Sequence, residues 1–227
     1  MLSERLKVVA DCVLKCDTMA DIGTDHAYIP IYLVKNNIVK KAIAADISEG
    51  SCKKARLNVN SNHLYEKVDV RCGNGLEVIE KNEVIDCIVI AGMGGLMAIN
   101  VLESNTYAVS KAKRLILQPQ KDIGKVREYI DSIGFKIIDE KMLKENGKYY
   151  NVIVAEKGKE SYSKIEFLFG KRLIEEKSPI LKEYILFEQN KLVKILKNME
   201  KNNKCDDSSY KRLFELEKDY EEVLKWI

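Results

Sequence analysis

The segment Ala20-Asp21-Ile22-Gly23-Thr24-Asp25-His26-Ala27-Tyr28-Ile29-Pro30 gathers two carboxylates, an imidazole and a phenol around one glycine. An acid at a strand end followed by glycine lets the chain turn sharply and brings backbone N–H groups toward a ligand. The spacing departs from the dinucleotide fingerprint Gly-x-Gly-x-x-Gly, because Asp25 and Ala27 follow where that pattern would continue. An acid at that point repels a pyrophosphate. It suits a cation instead, such as the methionine end of S-adenosylmethionine.

Four more segments carry polar or backbone-freeing residues at predicted strand ends. Asp46, in Ala44-Ala45-Asp46-Ile47, lies 23 residues after Gly23, where an acid can accept both ribose hydroxyls of an adenosyl group. Gly73-Asn74-Gly75-Leu76 offers an amide with both donor and acceptor for a base edge. Ile90-Ala91-Gly92-Met93-Gly94-Gly95 removes side chains where a ligand and a substrate must approach each other, and it lacks the Asn/Asp-Pro-Pro-aromatic motif of many exocyclic amino methyltransferases. Gln118-Pro119-Gln120 adds amides on a stiff backbone.

The elements that must hold these segments can be read from periodicity. Short apolar runs at residues 18–22, 41–46, 68–72, 86–91 and 114–118 alternate with helical patterns at 27–36, 49–60, 76–81, 96–103 and 123–133. Continuous apolar strands separated by crossover helices predict a doubly wound α/β domain with a parallel sheet covered on both faces. All five segments then fall at the carboxyl ends of strands, where such folds bind ligands. Two further runs, 135–143 and 149–155, flank Asn146-Gly147, a hairpin signal. A sheet that ends in an antiparallel hairpin fits a Rossmann-like methyltransferase better than a dehydrogenase. Beyond about residue 162 strand signals stop. Leu181, Ile185, Leu192, Ile195 and Met199 form one helical stripe, and Leu213, Leu216, Tyr220, Val223 and Ile227 form another. A polar loop at 202–209 joins them, with Ser208 or Ser209 as the expected N-cap. The simplest pairing is an antiparallel coiled-coil hairpin within one chain, and pairing between chains is the alternative.

Composition narrows the class. The 227 residues amount to about one and a half domains. With 46% hydrophobic residues the chain is not disordered. No apolar run approaches the roughly 20 residues of a membrane span, and no secretory signal opens the chain, so a cytoplasmic location is expected. The 38 basic against 35 acidic residues give a net charge of +3, which excludes a uniformly basic nucleic-acid coat but not local patches. Six cysteines without Cys-x-x-Cys, beside only His26 and His63, predict buried reduced thiols and no metal site. The local basic clusters are Lys53-Lys54 with Arg56, Lys111 with Lys113-Arg114, and Lys191-Lys194 and Lys197-Lys201-Lys204 on the terminal helices, where most charges read as solvated faces.

In combination, Asp21 to Pro30, Ala45-Asp46-Ile47, Gly73-Asn74-Gly75-Leu76, Ile90 to Gly95 and Leu115-Ile116-Leu117-Gln118-Pro119-Gln120 resemble the bacterial tRNA (adenine-22-N1)-methyltransferase family. Asn74 departs from the Asp expected in the Gly-x-Gly-Leu loop. The resemblance implies a class I methyltransferase fold over residues 1–158, a helical coiled-coil domain over 159–227, S-adenosylmethionine as donor and tRNA as substrate, with the basic clusters above as the candidates for RNA contact. The implied cofactor residues are Asp21, Gly23, Thr24, Asp46, Ile47, Asn74, Gly75, Ala91, Gly92, Met93 and Gly94. Gly95, Gln118 and Pro119 are expected to line the substrate pocket, and Asp25, His26 and Tyr28 to act on the base. A monomer is expected. Two other readings are open on the sequence: a small-molecule methyltransferase that dimerises through the coiled coil, and a tRNA-binding protein without catalysis.

Overall fold

The computed structural model describes residues 2–203 and 205–227. Two compact units divide the chain, Met1–Glu160 and Ser161–Ile227. In the first, the strands are β1 (Cys16–Ile22), β2 (Val39–Asp46), β3 (Val68–Cys72), β4 (Cys87–Met93), β5 (Arg114–Pro119), β6 (Phe135–Glu145) and β7 (Lys148–Lys157). The helices are α1 (Glu4–Asp11), α2 (Tyr28–Lys35), α3 (Glu49–Ser61), α4 (Gly95–Glu103), α5 (Thr106–Lys111) and α6 (Ile123–Ser132). The strands form one sheet in the order β3-β2-β1-β4-β5-β7-β6. Strands β1 to β5 pair in parallel, and β7 runs antiparallel between β5 and β6. The order reverses between β1 and β4, the place where an open α/β sheet leaves a crevice at its carboxyl edge.

The central strands are buried on both faces, as their unbroken apolar runs require: Met19, Ala20, Ile88, Val89, Ile90, Leu115, Ile116 and Leu117 have no solvent exposure. Between α6 and β6 the core also holds an ion pair, Arg127 Nε to Glu140 Oε1 at 2.7 Å, with both side chains 1% exposed.

Three details differ from the sequence expectation. Residues 76–81 do not form an α-helix; the chain makes one 3₁₀ turn, Gly75–Val78. The side chains of Ser104 and Asn105 satisfy its backbone instead, Ser104 Oγ accepting from Leu76 N and Asn105 Nδ2 donating to the carbonyls of Leu76 and Ile79. Helices α1 and α5, eight and six residues long, lie outside the helical patterns expected from the sequence. Of the six cysteines, Cys52 and Cys87 are buried, whereas Cys72 and Cys205 are exposed.

The second unit is helical: α7 (Lys164–Phe169), α8 (Lys171–Glu175), α9 (Pro179–Lys201) and α10 (Ser208–Leu224). Its first helix opens with a capping box between Ser163 and Glu166. Helices α9 and α10 pair antiparallel within the chain: Lys182 Nζ donates to Ile227 O at one end, and Tyr210 OH donates to Glu200 Oε1 at the other. The seam holds Leu181, Ile185, Leu192, Leu196, Tyr220 and Val223. Ile195, expected in that seam, is half exposed, and Leu196 takes the inward place. The N-cap of α10 is Asp207, whose carboxylate accepts from Ser209 N, rather than either serine. Lys204, expected among the RNA-facing lysines, lies outside the described residues. Among the described residues no helix is long and apolar enough to cross a membrane.

Candidate active site

The loop after β1 builds the site. Gly23 and Thr24 donate their backbone N–H groups to Ala45 O at 2.8 and 2.9 Å, which ties the loop to β2. Gly23 has φ +83, and a Cβ there would lie 2.5 Å from Met93 Cε. The backbone angle is what requires glycine, since the Met93 methyl is the far end of a flexible side chain. Thr24 is buried and its hydroxyl accepts from Ala27 N at 3.1 Å.

Ala27 then adopts a left-handed conformation, φ 56 and ψ 28, immediately before α2. This costs an L-residue about 1–2 kcal/mol, and its effect here is to turn the residues on either side toward each other. The rings of His26 and Tyr28 stack with centroids 4.9 Å apart and planes within 8°. His26 Nε2 lies 3.1 Å from Asp25 Oδ2. The other carboxylate oxygen of Asp25 accepts from Ser51 Oγ at 3.2 Å and Lys54 Nζ at 3.1 Å, while Asn58 Nδ2 donates to His26 O. Ser51, Lys54 and Asn58 recur at helical spacing on one face of α3 and act together as a clamp on the loop. Partial burial would raise the Asp25 carboxyl, yet Lys54, His26 and Ser51 outweigh it and hold it below its ordinary value.

Asp25, His26 and Tyr28 line a cavity of about 310 Å³ together with Arg5, Leu6, Asp21, Gly23, Thr24, Ile29, Ala91 and Gly92. Asp21 is 6% exposed. Burial pushes its carboxyl up to about 6, with the Thr24 hydrogen bond working the other way and the nearby Asp46 charge adding to the rise. Desolvation of this kind leaves an acid that gains much from a cation. At Gly92, φ +85, the β4–β5 register skips a residue and exposes backbone to the cavity.

The other predicted residues stand at varied distance from this cavity. Asp46 ends β2 half-buried, with Oδ1 accepting from Ser48 N at 2.7 Å, and Ile47 beside it is 71% exposed. Asn74 is exposed and donates to Glu77 Oε1, and Gly75 adopts φ +55 against Ser104. None of these four lines the cavity; they border the adjacent rim made by the ends of β2 and β3. Met93 fills the space over Gly23, and Gly94 faces open space. Gly95 does not face the cavity: a Cβ there would lie 2.4 Å from Lys121 O, so its glycine serves the packing of α4 on the β5–α6 loop. Gln118 and Pro119 are buried, and Arg5 lies over Gln118, Nη1 to Oε1 at 2.6 Å. Arg5 was missed because α1 gives no motif; a lone arginine near the start of a chain carries no signal until the fold brings it beside β5.

Several basic groups expected to meet RNA are already engaged. Lys54 holds Asp25, Arg56 donates to Val70 O, Lys113 pairs with Asp86 and Arg114 with Glu156. The last two sit at the amino end of β5, opposite the crevice.

The site's chemistry fits S-adenosylmethionine on the chain's own features: a desolvated acid for an ammonium, a glycine cradle that a Cβ would fill, and a carboxylate at the end of β2 for ribose hydroxyls. Comparisons with known proteins agree. The profile of the tRNA (adenine(22)-N(1))-methyltransferase family matches residues 19–219. The tRNA (adenine(22)-N(1))-methyltransferase of Bacillus subtilis is 43% identical over 157 residues, a stretch covering 69% of this chain and 66% of that protein. The structure of Streptococcus pneumoniae Sp1610 in complex with S-adenosyl-L-methionine superposes with a TM-score of 0.90 at 35% identity, covering 99% of this chain and 100% of that one. M. capricolum TrmK in complex with S-adenosyl-homocysteine gives a TM-score of 0.91 at 29% identity, covering 100% of this chain and 99% of that one. The chain belongs to the tRNA (adenine(22)-N(1))-methyltransferase family.

Proposed function

We propose that this protein transfers the methyl group of S-adenosylmethionine to N1 of adenine-22 in tRNA, acting as a cytoplasmic monomer. Residues 1–158 would form the catalytic domain and 159–227 a helical domain that contacts RNA. The observation that carries the catalytic reading is the Asp25, His26 and Tyr28 cluster at a cavity whose inner wall holds Asp21, Gly23 and Gly92. Asp21, Gly23 and Thr24 would hold the amino-acid end of the donor, Asp46 its ribose, and Asn74 with Ile47 its base.

The donor supplies an electrophilic methyl on a sulfonium. Adenine N1 carries an in-plane lone pair at neutral pH, so no base must remove a proton before transfer. The protein's work is therefore alignment of a flipped-out base and stabilisation of the cation that forms on it. Tyr28, 47% exposed and stacked on His26, offers a ring face for the base. Asp25, kept ionised by Lys54 and His26, supplies negative charge at the cavity mouth where the adenine becomes positive. In the helical domain Lys194, Lys197 and Lys201 are exposed along α9 and would follow a phosphate backbone. The monomer reading rests on the apolar seam of α9 and α10, which is filled within one chain.

The test is methyl transfer to transcript tRNA by Asp25→Ala, with donor affinity measured in parallel. Turnover should fall by about 100-fold, the scale of one electrostatic group at a transition state, with donor affinity within threefold of wild type. Unchanged turnover removes Asp25 from the reaction, and joint loss of turnover and affinity reassigns it to donor binding. Methylation of metabolites without methylation of tRNA would overturn the substrate assignment.

A further inference from the structure

Asn58 meets His26 twice. Its side-chain nitrogen donates to the His26 carbonyl at 3.0 Å and stands 3.5 Å from the ring nitrogen Nδ1. A carbonyl only accepts, so the first contact fixes which end of the amide faces the loop. The reversed amide would set two oxygens against each other. The group opposite Nδ1 is therefore an NH2, which only donates.

The far side of the ring has the opposite polarity. His26 Nε2 lies 3.1 Å from Asp25 Oδ2, and Asp25, paired with Lys54 at 3.1 Å, is a carboxylate that only accepts. The imidazole thus sits between a donor at Nδ1 and an acceptor at Nε2. One neutral form answers both, the tautomer with its proton on Nε2. A proton on Nδ1 would point at the amide N–H and leave the carboxylate against a bare lone pair. Turning the ring over would bring carbon to both contacts. At 3.5 Å the Nδ1 contact is longer than an ideal hydrogen bond, and its weight lies in this choice of polarity rather than in binding energy.

The choice matters for the geometry of the site. A ring held at both nitrogens is kept from turning about its Cβ–Cγ bond, and the Tyr28 ring stacks on that plane, with centroids 4.9 Å apart and 8° between planes. The same tautomer directs an N–H at Asp25 Oδ2 while Ser51 and Lys54 hold Oδ1, so both carboxylate oxygens are fixed. Asn58 itself is half-buried on α3 and does not line the cavity. It reaches the reaction only through His26.

We infer that Asn58 is a positioning residue for methyl transfer: it selects the Nε2–H tautomer of His26, which locks the imidazole between Asp25 and Tyr28. The inference rests on the roles given above to Asp25, His26 and Tyr28. The competing role is a plain brace, in which Asn58 matters only for its bond to the His26 carbonyl.

Nitrogen-15 NMR of the imidazoles, together with steady-state methyl transfer to transcript tRNA, separates the two roles. The chain has two histidines, and the exposed His63 serves as the reference. At pH 8, above the ordinary imidazole range, wild-type His26 should carry a proton on Nε2 and none on Nδ1. Asn58→Asp puts an acceptor where the donor was and should place a proton on Nδ1. Its kcat should fall about 10- to 100-fold, the scale of a misplaced reacting group. Asn58→Leu leaves Asp25 as the ring's partner, so it should keep the Nε2 proton and lower kcat about threefold, the net worth of one neutral hydrogen bond. Donor affinity should be unchanged in both variants. A brace predicts equal losses of kcat, since neither variant donates to the His26 carbonyl, and that outcome overturns the inference. A wild-type proton on Nδ1 overturns it without any variant. So does an Asn58→Asp spectrum identical to wild type, or an Nδ1 proton in Asn58→Asp with undiminished kcat. Wild type that methylates no tRNA overturns the reading on which the inference rests, whereas the tautomer is read from the spectra whatever the substrate.

Discussion

The two ends of the parallel sheet use the same residue types to opposite effect. At the amino end, Asp86 accepts from the backbone N–H groups of Asp17 and Thr18 at 3.1 and 3.2 Å and pairs with Lys113 at 2.7 Å. Arg114 beside it pairs with Glu156 and donates to Cys12 O. At the carboxyl end, Asp25 is paired at the cavity mouth, but Asp21 and Arg5 line the cavity with no ion-pair partner among the described residues. Both ends carry a hollow, and the amino-end one is the larger, about 400 Å³ against 310 Å³. Volume does not identify the active end. The difference lies in whether charged groups have exhausted their partners within the protein, because a group already paired has little left to offer a ligand.

If that distinction holds, removing an acid from each end should produce opposite phenotypes. Asp86→Ala leaves the half-buried Thr18 N–H without its acceptor, at about 1–3 kcal/mol, while the exposed Asp17 N–H can turn to water. We expect a stability loss of about 1–3 kcal/mol in denaturant titration, with donor affinity unchanged within twofold. Asp21→Asn should do the reverse. It removes a desolvated charge and leaves the melting temperature equal or raised, while donor affinity falls by about 10- to 100-fold, as for loss of one charge-assisted hydrogen bond. A change in donor affinity for Asp86→Ala, or retained affinity for Asp21→Asn, would break the comparison.

The two acids should also titrate in opposite directions. Burial raises the Asp21 carboxyl to about 6 from its ordinary 3.8. Its contribution to the ligand-free protein's stability is therefore fully present below 3.8 and lost as pH rises through about 6. An ammonium ligand needs the ionised form, so donor affinity should hold above pH 6 and fall by about tenfold for each unit below it. Asp21→Asn should lack this dependence. Asp86 behaves in the other sense: burial would raise it, but Lys113 and the Thr18 and Asp17 backbone hold it below its ordinary value. It stabilises the protein above the unfolded value and ceases to do so as pH falls through the lower, folded one. Donor affinity that is flat between pH 5 and 7 would remove Asp21 as the ammonium partner.

How legible these ends are in the sequence follows from how local their causes are. The parallel strands, the terminal hairpin and the loop containing Gly23 were readable because apolar runs, Asn-Gly and a strand-end glycine act over a few residues. The α9 and α10 pairing was readable for the same reason, although the inward choice of Leu196 over Ile195 depends on the partner helix and was not. The glycines from Gly92 to Gly95 look equivalent in sequence and have three different reasons in the structure: a positive φ at Gly92, open space at Gly94 and backbone contact at Gly95. Arg5 lies 113 positions from Gln118, and the α3 clamp lies 26 or more positions from Asp25 and His26. Such partners are fixed by topology, which no local pattern encodes.

The smallest expected effect tests the comparison at its surface. Lys54 and Lys113 are both exposed lysines paired to an aspartate, Lys54 to Asp25 at 3.1 Å and Lys113 to Asp86 at 2.7 Å. Both lysine ends reach into solvent, where water screens much of the charge, so Lys→Gln at either position should shift the melting temperature only slightly. Their effects on turnover should separate. Lys54→Gln loosens the Asp25 carboxylate at the cavity mouth and should lower methyl transfer to tRNA about threefold, within the energy of one such pair, with donor affinity unchanged. Lys113→Gln, at the closed end, should leave turnover and tRNA affinity at wild-type levels. A loss of tRNA affinity in Lys113→Gln would mean that the amino end of the sheet meets the RNA, and that its internal pairings do not exclude it from function.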